Sequence, residues 1–409
     1  MKQYRYLIIG GGLAGDAAVR GIRELDTEGS IGMISMEPDP PYTRPNLSKG
    51  LWKGRPLEKI WRNTESLGAE LYLGRKVTQL DPSKKYLRDD TGGEYMYDKL
   101  LLATGGSPIR LPFGGDNIIY YRDLQDYQHL RALTERGERF LVIGGGFIGS
   151  EIAAALTMIG KKVVMVFPEE AISANVYPPD LSGFLNEYFR EKGVEVVPDD
   201  LVASLEQTGN RSTVRTRNGN SFEVDGVIAG IGIRPNLELA QQAGLQVDNG
   251  IVVNEHLLTS VPDIFAAGDV ARFFHSALGK GVRVEHEDNA LRMGKLAGRN
   301  MAGAHEPYTH VPMFYSDLFD LGYEAVGELS SKLETVTDWQ EPFKKGIVYY
   351  LDNGRVHGVL LWNVWDSVPE ARALLKAPGP FRAADLRGIL SGKDKQATSM
   401  ALLGANNEK

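Results

Sequence analysis

Two Rossmann-like dinucleotide-binding domains and a smaller α+β C-terminal domain are predicted for this α/β chain from three observations. A short apolar run, a GxGxxG pattern and an alanine-rich stretch follow one another near the N-terminus. The same unit returns near residue 140, and from residue 311 onward the chain changes to aromatic, strand-like runs.

In the first copy, residues 6–9 form an apolar strand running into Gly10, Gly12 and Gly15, residues 31–35 form the next strand, and Glu37 follows. Gly10 permits the tight turn, Gly12 lets backbone N–H groups approach a pyrophosphate, and Gly15 lets helix and strand pack closely. The helix N-terminus then holds the negative charge, and Glu37 is expected to accept hydrogen bonds from a ribose. In the second copy, residues 140–143 lead into Gly144, Gly146 and Gly149, a helix from Ser150, a strand over 162–167 and Glu169. Each copy places an acid about 20 residues beyond its third glycine, which fits two dinucleotide sites. Glu169 and Glu170 close the second copy, and residues 171–175 offer no arginine or lysine for a 2′-phosphate, so NADH is favoured over NADPH there.

Composition narrows the function. A chain of 409 residues suggests two or three domains, and 47 glycines without a collagen period fit several close backbone approaches to ligands. A net charge of −7 argues against nucleic acid as the main partner. Residues 140–160 are apolar, but they hold three consecutive glycines and Glu151, so they read as a buried strand-turn-helix and no transmembrane segment is expected. Residues 1–5 lead directly into the first strand with no secretory signal pattern, so a cytoplasmic location is expected. The chain has no cysteine. Disulfide frameworks, thiolate metal sites, iron–sulfur ligation and redox-active cysteine pairs are therefore excluded, and any electron relay must use a bound cofactor.

The intervening segments follow in order. A proline-rich loop ends in RPNLSK, from Arg44 to Lys49, and between residues 44 and 62 Arg44, Lys49, Lys53, Arg55, Lys59 and Arg62 face the single acid Glu58. This cationic stretch reads either as a solvated face or as Arg44 on a pyrophosphate with Lys49 beside the chemistry. Strands are predicted over 71–80, 86–87 and 99–103, the last running into Thr104, Gly105 and Gly106, where bare backbone faces a phosphate. A helix over 124–135 precedes the second copy. Strands over 194–197, 212–216, 221–224 and 227–232 follow it, then 264–267, which ends in Gly268-Asp269-Val270, and a helix over 285–301. The last region is read as strands over 323–327, 334–338, 346–351 and 355–362, a helix over 368–376 and a poorly packed tail after Ser391. Glu285, His286, Glu287 and Asp288 are adjacent helix positions that do not converge on one ion, so no metal site is expected.

The first GxGxxG, ATGG over 103–106, GGGFIGSE around the second GxGxxG, and AAGDV over 266–270 together resemble the two-dinucleotide-fold flavoproteins, the superfamily of the pyridine nucleotide-disulfide oxidoreductases. RPNLSK, VEHEDNA over 284–290, MFYSDLFDLGYEAVG over 313–327 and VLLWN over 359–363 resemble its ferredoxin/rubredoxin reductase branch, and within it the apoptosis-inducing-factor-like members. The resemblance implies an FAD-binding domain of residues 1–116 and 246–308, an NAD-binding domain of residues 117–245 and a C-terminal domain of residues 309–409. It implies FAD contacts from Leu13, Ala14, Val77, Ala103, Thr104 and Gly105, with Asp269 on the ribityl chain, and nicotinamide-nucleotide contacts from Ile148 and Gly232. It makes Lys49 and Glu151 the catalytic pair beside flavin N5. Phe147 is either the aromatic that covers the flavin or a core phenylalanine. The helix from Glu285 and His286 is implied to point its N-terminus at the flavin pyrimidine, favouring the anionic reduced form; His286 alone reads equally as a packing residue. Two positions depart from the pattern. Met36 stands where near relatives carry an acid, leaving Glu37 as ribose ligand, and Tyr315 replaces the tryptophan of FWSD near the nicotinamide.

The function expected is an FAD-dependent NADH oxidoreductase that passes a hydride to flavin and electrons onward to ferredoxin, rubredoxin or a quinone. The missing cysteines eliminate its disulfide reductase and cysteine-dependent peroxidase relatives. The competing reading is an NADH-sensing flavoprotein acting through partner binding or oligomeric state, and a homodimer is among the expected assemblies.

Overall fold

Alternating burial along strand Lys2–Ile9 gives way to continuous burial from Tyr6 onward, as expected of a strand covered on both faces. It lies at the centre of a sheet ordered Ala69–Tyr72, Ile31–Ile34, Lys2–Ile9, Glu94–Leu102, Tyr86–Asp89, Val77–Asp81, with Ile264–Ala266 also paired to Glu94–Leu102. The pairings from Ala69–Tyr72 through Glu94–Leu102 to Ile264–Ala266 are parallel, and the last two strands return antiparallel. The computed structural model describes residues 1–390, and this sheet belongs to the first of two compact units: Met1–Asn46, Arg55–Ser107 and Ile233–Pro312.

Within that unit, helix Leu13–Arg23 crosses helix Glu287–Met301 at a distance only glycine permits. A Cβ on Gly21 would lie 2.0 Å from the Lys295 carbonyl oxygen, and one on Gly294 2.2 Å from that of Ala14. Ala18, Val19, Ile22, Met293 and Ala297 are fully buried along the crossing.

The second unit holds Leu47–Gly54, Pro108–Gly232 and Met313 onward. Its parallel sheet runs Val194–Val197, Lys162–Val166, Arg139–Ile143, Gly226–Ala229, Ile118–Tyr120. A three-stranded antiparallel sheet, Val202–Thr208, Arg211–Thr216 and Ser221–Val224, covers part of its apolar core. The C-terminal region forms an antiparallel sheet ordered Met313–Leu318, Leu321–Gly327, Arg355–Trp362, Lys345–Asp352, Glu334–Glu341, followed by helix Val368–Lys376. Tyr323 and Trp362 are cross-strand partners stacked within 8° of parallel at 5.6 Å, and Tyr177 packs edge-on against both.

Several expectations need correcting. Residues 71–80 are two strands, Ala69–Tyr72 and Val77–Asp81, separated by a turn with Gly74 at φ +65°. The second-copy helix begins at Phe147 rather than Ser150, and the helix expected from 285 begins at Glu287 with His286 as its cap. Helix Pro179–Glu191 and strands Val202–Thr208, Ala271–His275, Lys280–Arg283 and Met313–Leu318 were not expected. The tail after Ser391 lies outside the described residues. Among the described residues, no helix is long and apolar enough to cross a membrane.

Candidate functional site

The two GxGxxG turns have the same construction. Gly10 and Gly144 take φ of +118° and +111°, a region costly to any side chain. Added Cβ atoms on Gly15 and Gly149 would lie 2.1 and 2.0 Å from the carbonyl oxygens of Gly10 and Gly144, so only glycine closes either turn. The middle glycines differ from these. Gly12 and Gly146 cap their helices in extended conformation, an added Cβ would meet nothing within 4 Å, and neither cap supplies a side-chain hydrogen bond. First-turn backbone N–H groups thus have no capping side chain at the positive end of a helix, the donor set that a pyrophosphate fits. Leu13 and Ala14 form the first turn of helix Leu13–Arg23, and Phe147 and Ile148 that of helix Phe147–Met158.

Around the first turn, the Ala103 carbonyl lies under Gly10, and the Ala103 N–H bonds the Ile9 carbonyl. Thr104 and Gly105 are fixed by Asn236, whose side-chain amide donates to the Thr104 carbonyl at 2.8 Å and whose N–H donates to that of Gly105 at 3.0 Å. Glu37, expected on a ribose, has its carboxylate engaged by Arg44 at 2.5 Å and by the Tyr42 hydroxyl at 2.7 Å. Arg44, expected on a pyrophosphate, is therefore half of an ion pair with Glu37. Burial works against its charge, but Tyr42, Glu37 and Asp269 outweigh that and raise its pKa. Asp269 sits in the short turn Gly268–Val270, and its carbonyl accepts from Arg283 at 3.0 Å. Glu285 is exposed and paired with Arg283 at 2.5 Å. Burial pushes the His286 imidazole down to about 4, against the opposing pull of Asp269 and Asp288. Val77 is buried in the apolar core at the start of its strand.

In the second unit, Glu169 follows strand Lys162–Val166, where its carboxylate accepts from the Asn175 amide at 3.3 Å, and Gly232 takes φ +94°. Lys49 and Glu151 are brought together: Lys49 Nζ donates to Glu151 Oε1 at 2.7 Å, with side-chain exposures of 13% and 4%. Ser48 Oγ donates to Oε2 and Ser316 Oγ to Oε1, both at 2.5 Å. Neither serine was singled out by the sequence reading, although both stand inside the quoted RPNLSK and MFYSD motifs. Tyr315 is 37% exposed and lies under the Lys49 ammonium, 5.2 Å from Nζ to ring centre, while Phe147 packs on Phe314 at 5.7 Å. Behind the pair, burial holds the Tyr177 and Tyr323 hydroxyls well above their ordinary pKa, and Glu151 adds to both effects. Among the described residues, no cluster of three or more histidine or acidic side chains could hold a metal ion.

The model for pyridine nucleotide-disulphide oxidoreductases matches residues 4–294, and that for the C-terminal region of mitochondrion-associated apoptosis-inducing factor matches residues 297–342 and 337–377. The ferredoxin reductase subunit of 5,5'-dehydrodivanillate O-demethylase from Sphingobium sp. is 35% identical over 92% of this chain and 94% of its own. Mitochondrial apoptosis-inducing factor 1 of Dictyostelium discoideum is also 35% identical, over 92% of this chain and 79% of its own. A crystal structure of the covalent putidaredoxin reductase-putidaredoxin complex contains a chain of TM-score 0.89 and 30% identity, covering both chains completely.

Proposed function

The chain belongs to the pyridine nucleotide-disulphide oxidoreductase family and is an FAD- and NAD-dependent oxidoreductase, and we propose that it is an NADH reductase for a ferredoxin-type iron–sulfur protein. The observation that carries this reading is the duplicated cradle: two glycine turns of one geometry, each leaving a bare helix N-terminus for a dinucleotide. Similarity over nearly the whole chain to ferredoxin reductase components of dioxygenase and demethylase systems favours a ferredoxin acceptor over rubredoxin or a quinone.

Bound FAD supplies hydride acceptance and one-electron donation. The chain's own residues bind and place. Gly12 and Gly146 open the first turns whose N–H groups hold pyrophosphate charge. Glu169, without a basic neighbour in residues 171–175, is the proposed ribose ligand that favours NADH. Lys49, held by Glu151, presents a fixed ammonium, and His286 enters as a neutral cap at physiological pH. No step passes through a thiol, because the chain has none. The proposal assigns FAD to residues 1–116 and 246–308 and NADH to residues 117–245, with residues 309–409 as the C-terminal domain, in a cytoplasmic homodimer; cell fractionation and sedimentation test the last two points.

The match to an apoptosis-inducing-factor C-terminal region favours a second reading, an NADH sensor acting through partner binding. One experiment separates the two. Protein reduced anaerobically with NADH is mixed with ferredoxin, rubredoxin or a quinone while flavin absorbance is followed. Fast reoxidation by ferredoxin is the expected result; a persistent reduced spectrum with every acceptor, together with a size change on adding NADH, overturns the reductase reading in favour of the sensor.

A further inference from the structure

Three consecutive residues of strand Met313–Leu318 each engage a different member of the proposed hydride-transfer machinery. Phe314 packs on Phe147, Tyr315 lies under the Lys49 ammonium, and Ser316 donates to Glu151. Phe314 and Ser316 share one face of the strand, as its two-residue period requires, and both meet residues of helix Phe147–Met158. From the other side Ser48, the neighbour of Lys49, donates to the second oxygen of the same carboxylate. Glu151 therefore accepts from three donors on two separate segments, and its two oxygens are both fixed. A carboxylate bonded by lysine alone is free to swing about its terminal torsion, carrying the ammonium with it. One clamped at both oxygens holds the lysine in a single place.

We infer that Ser316 and Ser48 are positioning residues for hydride transfer: they hold Glu151 so that the Lys49 ammonium stays fixed against the Tyr315 ring. The inference rests on the reading that Lys49 and Glu151 serve that step. A group that acts only by alignment contributes to the rate and not to ground-state binding, because misplacement by about 1 Å costs up to about 100-fold in rate. The hydroxyl, not the side-chain volume, is what matters, so threonine at 316 should substitute where alanine does not.

Anaerobic flavin reduction is measured at increasing NADH concentration for S316A, S48A, the double variant, S316T and K49A. The long-wavelength charge-transfer absorbance of the reduced protein with NAD+ and the melting temperature are recorded alongside. The expected result is a limiting rate lowered about tenfold in each alanine variant and more in the double, with the NADH dissociation constant within about threefold of the parent. The charge-transfer band should weaken or shift, and S316T should recover most of both. Unchanged limiting rate and band in the double variant overturn the inference, as does a loss that S316T shares equally with S316A. If K49A also reduces at the parent rate, the underlying Lys49–Glu151 reading has failed; if K49A is slow while the serine variants are not, only the positioning role has failed.

Discussion

Substituting alanine at neighbouring glycines of the second turn separates binding from folding. Gly146 takes φ −81° and ψ −168°, which any residue adopts, and an added Cβ meets no atom within 4 Å. G146A should therefore cost at most about 1 kcal/mol of stability, the scale of an N-cap change. Its methyl group, however, projects into the space at the helix N-terminus where a pyrophosphate would accept from the first-turn N–H groups. Each charge-assisted bond lost there is worth about 1.5–3 kcal/mol. Losing two weakens NADH binding by roughly 3–6 kcal/mol, which is at least about 100-fold in dissociation constant. Gly149 is the opposite case: its Cβ would lie 2.0 Å from the Gly144 carbonyl oxygen, so the turn itself must distort. Stopped-flow flavin reduction against NADH concentration, beside thermal unfolding, reads both variants. The expected outcome is near-parental melting with lost NADH affinity for G146A, and lowered melting with lost affinity for G149A. Parental NADH affinity in G146A would refute the assignment of the second cradle to the nicotinamide nucleotide.

Other predictions concern charges. Replacing Lys49 by alanine strands a carboxylate only 4% exposed; breaking such a pair costs about 3–5 kcal/mol, and the two serine donors put this case near the lower figure, read as a shift in urea midpoint at constant slope. Arg44→Met removes the partner of Glu37, but both side chains are about a quarter exposed, so stability should fall by no more than about 1 kcal/mol while flavin retention on gel filtration drops. His286 has its folded-state pKa lowered to about 4 from 6.5. The unfolded chain then binds more protons between those values, so stability is full above about pH 6.5 and falls as pH drops toward 4, by up to about 3 kcal/mol. H286Q should flatten that part of the stability–pH curve, and an unchanged slope would show that another group titrates there.

Which parts of the fold were legible depended on whether the signal was backbone or side chain. The glycine turns were readable because steric limits on φ and on close approach leave glycine as the one residue that fits Gly10, Gly15, Gly144 and Gly149. Helix Pro179–Glu191 opens on Pro178 and Pro179 and contains Gly183, residues unfavourable inside a helix, although proline at the first helical position lacks only an N–H that would have no partner anyway. The break at Gly74 was lost for the converse reason: apolar residues on both sides made one strand of two.

The site divides along the same line. The pairing of Lys49 with Glu151 came from motif resemblance, and no spacing rule links residues so far apart in the chain. Ser48 and Ser316 carry no charge and no periodicity, so only coordinates show both hydroxyls on one buried carboxylate. Glu37 and Arg44 illustrate the limit of assigning ligands one residue at a time. Each was given a cofactor group by itself, and the structure also pairs the two with each other across a proline-rich loop. An acid and a base both assigned to one dinucleotide lie close enough to pair, here with each side chain about a quarter exposed. That pairing has a consequence for binding: Arg44 and Tyr42 take one bond at each Glu37 oxygen, and each oxygen keeps a second lone pair for a ribose hydroxyl. The adenosine end of the first dinucleotide should therefore gain affinity from Glu37 while Arg44 and Tyr42 hold that carboxylate in place, which is why flavin retention should drop in Arg44→Met.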